Sequence, residues 1–164
     1  MATIAPTTSR PLTPILLGGG VAATFDIVYA ILRNGGYGRD PQWVLQSVAS
    51  GLLGKQAFES GVPGALLGLL CHYAILFMAA FIYYQASKRL PVLTTRAVAC
   101  GALFGVGVYL FMNFVVLPLS AFPFSPKYPA LKLLEGFASH AVFVGIPIAL
   151  SIRRFAATRQ PDPQ

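Results

Sequence analysis

Gly64 to Gln85 reads GALLGLLCHYAILFMAAFIYYQ, more than twenty residues without a formal charge and with one histidine, His72. At about 1.5 Å rise per residue, this run is long enough to cross a hydrocarbon core of about 30 Å. A histidine inside such a span is costly in lipid, so it is expected to face protein or water. Steps of four lead back from His72 to Gly68 and Gly64. The histidine and the small residues therefore share a stripe along which another helix can come close.

Three further runs have the same character. The first span covers about residues 15–32 and carries Asp26, with Gly19, Ala22 and Ala23 on the same face. The third, about 97–119, has Gly101 and Gly105 in a GxxxG, followed by Tyr109 and Asn113 at steps of four. The fourth, about 131–152, contains Glu135, Gly136, His140 and Pro147; Gly136 lies four before His140, whereas Glu135 lies five before it and is expected to point elsewhere. With 55% hydrophobic and 10% charged residues, the chain has too few polar side chains to cover a soluble core. The expected fold is an all-α membrane protein, a single four-span bundle with the lipid bilayer as its main partner. Nucleic acid is not expected, because no basic helix is interleaved with aromatics.

Between the first two spans, residues 33–62 are too polar to cross. Asp40-Pro41 is a helix-start signal, with Asp as N-cap and Pro at the first helical position. Trp43, Val44, Val48 and Leu52 recur at helical spacing opposite Gln42, Gln46 and Ser50, which predicts a short interfacial helix over about 41–54, or a re-entrant one. Residues 1–14 are expected to be a disordered lead, and 153–164 a basic and then Pro-rich tail. Pro123, Pro126 and Pro129 predict an extended loop. Cys71 and Cys100 fall at different depths, too far apart for a disulfide, and are expected to be packing residues.

Four spans put both termini and the middle loop on one side, with Arg10, Lys88, Arg89, Arg96, Arg153, Arg154 and Arg159. The other side has Arg33, Arg39, Lys55, Lys127 and Lys132. Seven cations against five, with two basic pairs at span ends, predict that both termini are cytoplasmic. The halves also resemble each other. Gly18 to Asp26 aligns with Gly105 to Asn113 as G-x-G-V followed by an acid or amide, and the next span in each half carries a histidine. That pattern fits two tandem hairpins, and it fits chance similarity between glycine-rich spans.

Asp26, His72, Asn113 and His140 all fall in the outer half of the bilayer, within roughly 6 Å of one depth. Each shares a stripe with small residues, and Gly19, Gly64, Gly68, Gly101, Gly105 and Gly136 are the expected packing positions. Four polar side chains at one level can form a hydrogen-bond network that only fixes packing in a structural or accessory subunit. They can instead form a proton or ion site. Four spans are few for a carrier, so transport would call for a homodimer or a larger membrane complex. A smaller alternative is a haem or transition metal on His72 and His140, although there is no CxxCH or HExxH motif and no cofactor is expected. No catalytic motif is present. Ser50, Ser60, Ser120 and Ser139 lack an elbow or triad context, and Glu59 and Glu135 read as loop residues.

The second half is similar to the YagU-like family of small bacterial inner-membrane proteins. The similarity runs from His72 through Tyr84 and Pro91, then Leu110 to Leu119 (LFMNFVVLPL), Glu135 to His140, and Arg153-Arg154. It implies a bacterial inner-membrane location and transfers no catalytic residue.

Overall fold

In the computed structural model, residues 12–125 and 128–157 are described. Among them there is no strand, and four helices are long and apolar enough to cross a membrane. They are α1 (Leu12–Gly35), α3 (Gly61–Ser87), α4 (Ala97–Leu119) and α5 (Ala130–Ala156). Between α1 and α3 lies α2 (Pro41–Leu53), followed by a short 3-10 segment, Gly54–Phe58. A single helical turn, Val92–Thr95, joins α3 to α4, and the buried Tyr83 hydroxyl donates to the Leu93 carbonyl at 2.8 Å to hold that turn. Helix α1 begins at Leu12, inside the segment expected to be a disordered lead; residues 1–11, 158–164, Pro126 and Lys127 lie outside the described residues.

Helix α1 packs between α3 and α5, and α5 packs in turn against α4. Consecutive glycines make this sandwich. A β-carbon on Gly18 would meet the Ile148 Cα of α5 at 3.2 Å, whereas one on Gly19 would meet the Phe77 Cα of α3 at 3.1 Å. Neighbouring helix positions point about 100° apart, so two glycines in a row let two helices approach α1 from different sides. Ala22 and Ala23, one turn on, are fully buried.

The α4–α5 contact is closer still. A β-carbon on Gly101 would sit 2.8 Å from the Gly145 carbonyl oxygen, one on Gly105 would collide with the His140 carbonyl, and one on Gly145 would collide with the Gly101 carbonyl. Helices do not associate in lipid by a hydrophobic force, so backbone approach of this kind is what packing must supply. Gly145 was not among the expected packing positions, although Ala141-x-x-x-Gly145 is itself a small-xxx-small pair.

One of the glycine expectations needs correction. Gly64 does not face another α-helix: a β-carbon there would meet Ser60 and the Ala57 carbonyl. Gly68 is a helix-packing position, and its partner is α2, at the Leu45 carbonyl and Ala49 amide. Helix α2 is therefore seated on α3. Asp40 caps it, its Oδ1 accepting from the Trp43 amide at 2.6 Å. Val44 of its apolar face is buried, and so are Gln46, Ala49 and Ser50, while Leu52 is 65% exposed. Gln46 is satisfied there because its side-chain amide donates to the Gly61 carbonyl at 3.0 Å, across the turn into α3.

Both α4 and α5 contain a π-helical turn, at Met112–Val116 and His140–Gly145. Each is followed closely by a proline, Pro118 or Pro147. A proline ring clashes with the carbonyl four residues back, here Phe114 or Phe143, and both lie inside the π turns.

Gly145→Val should destabilise the detergent-solubilised protein by about 1–3 kcal/mol through overpacking against Gly101. Gly20→Ala should be close to neutral, since its β-carbon meets nothing nearer than a Phe77 ring atom at 3.8 Å. Thermal denaturation of the two variants checks this directly.

Candidate functional site

The buried core, including Ile15, Leu76, Ala79, Ala80, Tyr83, Val144, Ile148 and Ile152, fills the half of the bundle nearest the described ends of the chain. The other half is not filled. There a vestibule of about 490 Å³ lies between α1, α2, α4, α5 and the 120–129 connection. Asp26, Tyr29 and Arg33 line it from α1, Trp43 and Ser47 from α2, Tyr109 and Asn113 from α4, and Lys132, Glu135, Gly136 and His140 from α5.

Three of the four expected polar residues reach this vestibule. Asp26 Oδ1 lies 4.0 Å from His140 Nδ1, an ion-pair distance whenever the imidazole is protonated, and both side chains are largely shielded. His140 Nδ1 is also 3.3 Å from the Ser139 hydroxyl, which donates to the Gly136 carbonyl at 3.1 Å. Since that hydroxyl proton is already used, an Nδ1–H on His140 donating to Ser139 Oγ is consistent with this contact. Asn113 lines the same space, but its side-chain amide donates back to the Tyr109 carbonyl at 2.9 Å, inside its own helix.

His72 goes elsewhere. Its Nε2 is 3.0 Å from the Ala23 carbonyl oxygen, and it does not line the vestibule. A carbonyl only accepts, so Nε2 carries the proton in this contact and His72 fastens α3 to α1. The expected four-residue cluster is thus an Asp26–His140 pair with Asn113 beside it, plus a separate interhelical bond from His72. Among the described residues, no three His, Cys, Asp or Glu side chains come together in a metal-binding group.

Glu135 needs the opposite correction. Expected to point elsewhere than His140, it lines the same vestibule and forms a partly exposed ion pair with Arg33. Arg33 Nε donates to Glu135 Oε2 at 3.1 Å, and its second guanidinium nitrogen reaches the same oxygen. The guanidinium also lies over the Tyr37 ring, 5.3 Å from its centroid. This bridge links the far end of α1 to the start of α5 across the mouth of the vestibule. Arg33 alone in a polar segment gave no sign of its partner, which is 102 residues away.

The remaining wall is tied to a π turn. A π turn leaves backbone carbonyls without their usual donors, and the Tyr128 hydroxyl donates to the Asn113 carbonyl at 2.9 Å. The Tyr128 ring stacks on Phe114 at 4.8 Å. Gly136 makes room on the opposite side, where a β-carbon would meet the Tyr109 ring.

Four apolar spans and a vestibule lined in part by polar side chains define a multi-pass membrane protein with a largely shielded acid–imidazole pair. No protein-family profile, curated protein or solved structure matches the chain.

Burial pushes the Tyr128 phenol up from its ordinary value. The folded chain holds that proton more tightly than the unfolded chain. The resulting stability is therefore complete below the ordinary tyrosine pKa of about 10 and is lost as the pH rises above it. Tyr128→Phe should cost about 1 kcal/mol at neutral pH. The gap to wild type should close on alkaline titration, because an ionised phenol cannot donate to Asn113; chemical denaturation at several pH values reads this out.

Proposed function

We propose that this is a proton- or ion-handling protein of the bacterial inner membrane, with the Asp26–His140 pair as the group that exchanges. The observation that carries the reading is the 4.0 Å approach of an acid and an imidazole from two different spans at a polar vestibule. An ionisable residue inside a span is expensive, and a pair that can share or pass a proton offsets part of that cost. Histidine is suited to this role near physiological pH. Asn113, Ser139 and the tyrosines of the vestibule supply hydrogen-bond partners for a water chain or a small polar ligand.

The vestibule lies in one half of the bundle, and the opposite half is closed by buried apolar side chains. One-sided uptake and release therefore fits better than an open channel, and passage across the membrane would need a second arrangement of the helices. The charge bias of seven against five supports both termini being cytoplasmic. The similarity of the second half to the YagU-like family supports the inner-membrane assignment.

A second reading has its own observation. The His72–Ala23 bond is a packing contact, and hydrogen bonds of this type contribute about 0.6 kcal/mol each in a membrane bundle. An accessory subunit held together in this way would need no exchanging group. A bis-histidine cofactor is the least favoured reading, since His72 Nε2 is engaged with a backbone carbonyl.

Infrared difference spectra of the reconstituted protein between about pH 5 and pH 8 separate these readings. Wild type should show carboxyl and imidazole bands that disappear in Asp26→Asn and in His140→Ala. His72→Ala should keep those bands and melt earlier. Bands that survive Asp26→Asn unchanged would sink the proton reading and leave the packing subunit. A Soret band in the purified protein, lost in His72→Ala, would instead favour haem.

A further inference from the structure

Away from the vestibule, on the side of α1 and α5 that faces the surrounding bilayer, lies a groove of about 710 Å³. Its walls are Leu17, Gly18 and Val21 of α1 and Pro147, Leu150 and Ser151 of α5, and Arg154 stands at one end. The absence of a side chain at Gly18 lets the two helices meet at its floor. The Ser151 hydroxyl donates to the Pro14 carbonyl at 3.0 Å and fixes the start of α1 against the last turns of α5.

We infer that this groove binds one anionic phospholipid, its phosphodiester on Arg154 and an acyl chain along the α1–α5 seam. Charge complementarity is the first reason. Arg154 is exposed and has no hydrogen-bond or ion-pair partner among the described residues, while the rest of the lining is almost wholly apolar. A single cation at the end of an apolar trough matches an amphiphile with a negative head. Basic pockets between membrane helices are known to take anionic lipid headgroups in this way, and arginine pairs with phosphate through a planar fork of donors.

Depth is the second reason. From Arg154 to Pro147 is seven residues, about 10 Å along the axis, which falls within the ~15 Å thickness of one leaflet's hydrocarbon. Arg154 then sits at headgroup level, in the last turn of a membrane-crossing helix. The groove thus has the length and polarity of one lipid in one leaflet. The polarity is not shared by the apolar surface of about 630 Å³ between α3 and α4, where Ile75, Met78, Phe104 and Phe111 meet and no charged residue is in the lining. This inference does not depend on what the Asp26–His140 pair does.

The test uses the full chain in nanodiscs of phosphatidylcholine doped with phosphatidylglycerol, with retained lipid counted by native mass spectrometry after extraction. Wild type should retain phosphatidylglycerol in preference to phosphatidylcholine. Arg154→Gln should weaken that preference about fivefold, the scale of one arginine at a membrane surface. Arg153→Gln removes the same charge next door, outside the groove, and should leave the preference nearly intact. Leu17→Trp fills the trough from a half-exposed position and should also lower retention without unfolding the bundle. Equal losses in both arginine variants would overturn the site in favour of diffuse charge attraction. Equal retention of the two lipids would overturn it outright. Competition by inorganic phosphate as effective as that by the lipid would show an anion site without a tail groove, and a Leu17→Trp variant that retains lipid as wild type does would overturn the acyl seat. If Arg154→Gln is poorly folded, Arg154→Lys serves instead, with partial retention expected from a point charge that lacks the fork.

Discussion

The contact on which the rest of this bundle depends is between two backbones. Gly101 and Gly105 on α4 meet Gly145 and the His140 carbonyl on α5 at distances no β-carbon would tolerate. In lipid, burying an apolar side chain against another helix gains little over burying it against acyl chains, so contact of this closeness is the main resource. It also fixes the π turn at His140 from outside. With that turn held, the imidazole faces α1 at the level of Asp26, and the acid and base meet without a contact from any loop.

Polar and apolar work are divided along the length of the bundle. Toward the described ends of the chain, alanines and β-branched residues of α1, α3 and α5 close on one another. Toward α2, a vestibule lies among α1, α2, α4 and α5, bridged by Arg33 and Glu135. His72 stands between the two regions, and its bond to Ala23 holds α3 to α1 where the packing changes character. A short polar helix that the sequence places at the interface forms a wall of that vestibule, because Gly68 lets its backbone settle on α3.

Much of this was legible in the residues. Long uncharged runs and the absence of a polar face reveal four spans, and Asp40-Pro41 reveals where α2 starts. The stripes also identify Gly101, Gly105 and Gly19, since helical spacing is a local property. What the stripes do not contain is the partner. Gly68 and His72 share a face by spacing, yet one meets α2 and the other α1, since two neighbours divide that face between them. Gln46 and Ser50 are polar by composition and buried by context, Gln46 donating to the Gly61 carbonyl across the turn into α3 and Ser50 to the Ser47 carbonyl of its own helix. Glu135 finds Arg33 over a separation no periodicity can report. The π turns left a trace in Pro118 and Pro147, legible only once the carbonyl four residues before each is considered.

Those π turns have a consequence for helical phase. A π turn acts as one residue inserted into an α-helix, and one residue is about 100° of rotation at 3.6 residues per turn. The stretch of α5 before His140 and the stretch after Gly145 are therefore set at different angles about a common axis. One presents Glu135, Gly136 and His140 to the vestibule, and the other presents Ile148 and Ile152 to the core with Arg154 turned toward the bilayer. A single continuous α-helix would couple those two orientations rigidly. Here each end of α5 is indexed separately, and the polar and lipid-facing surfaces can vary in sequence without dragging one another out of register.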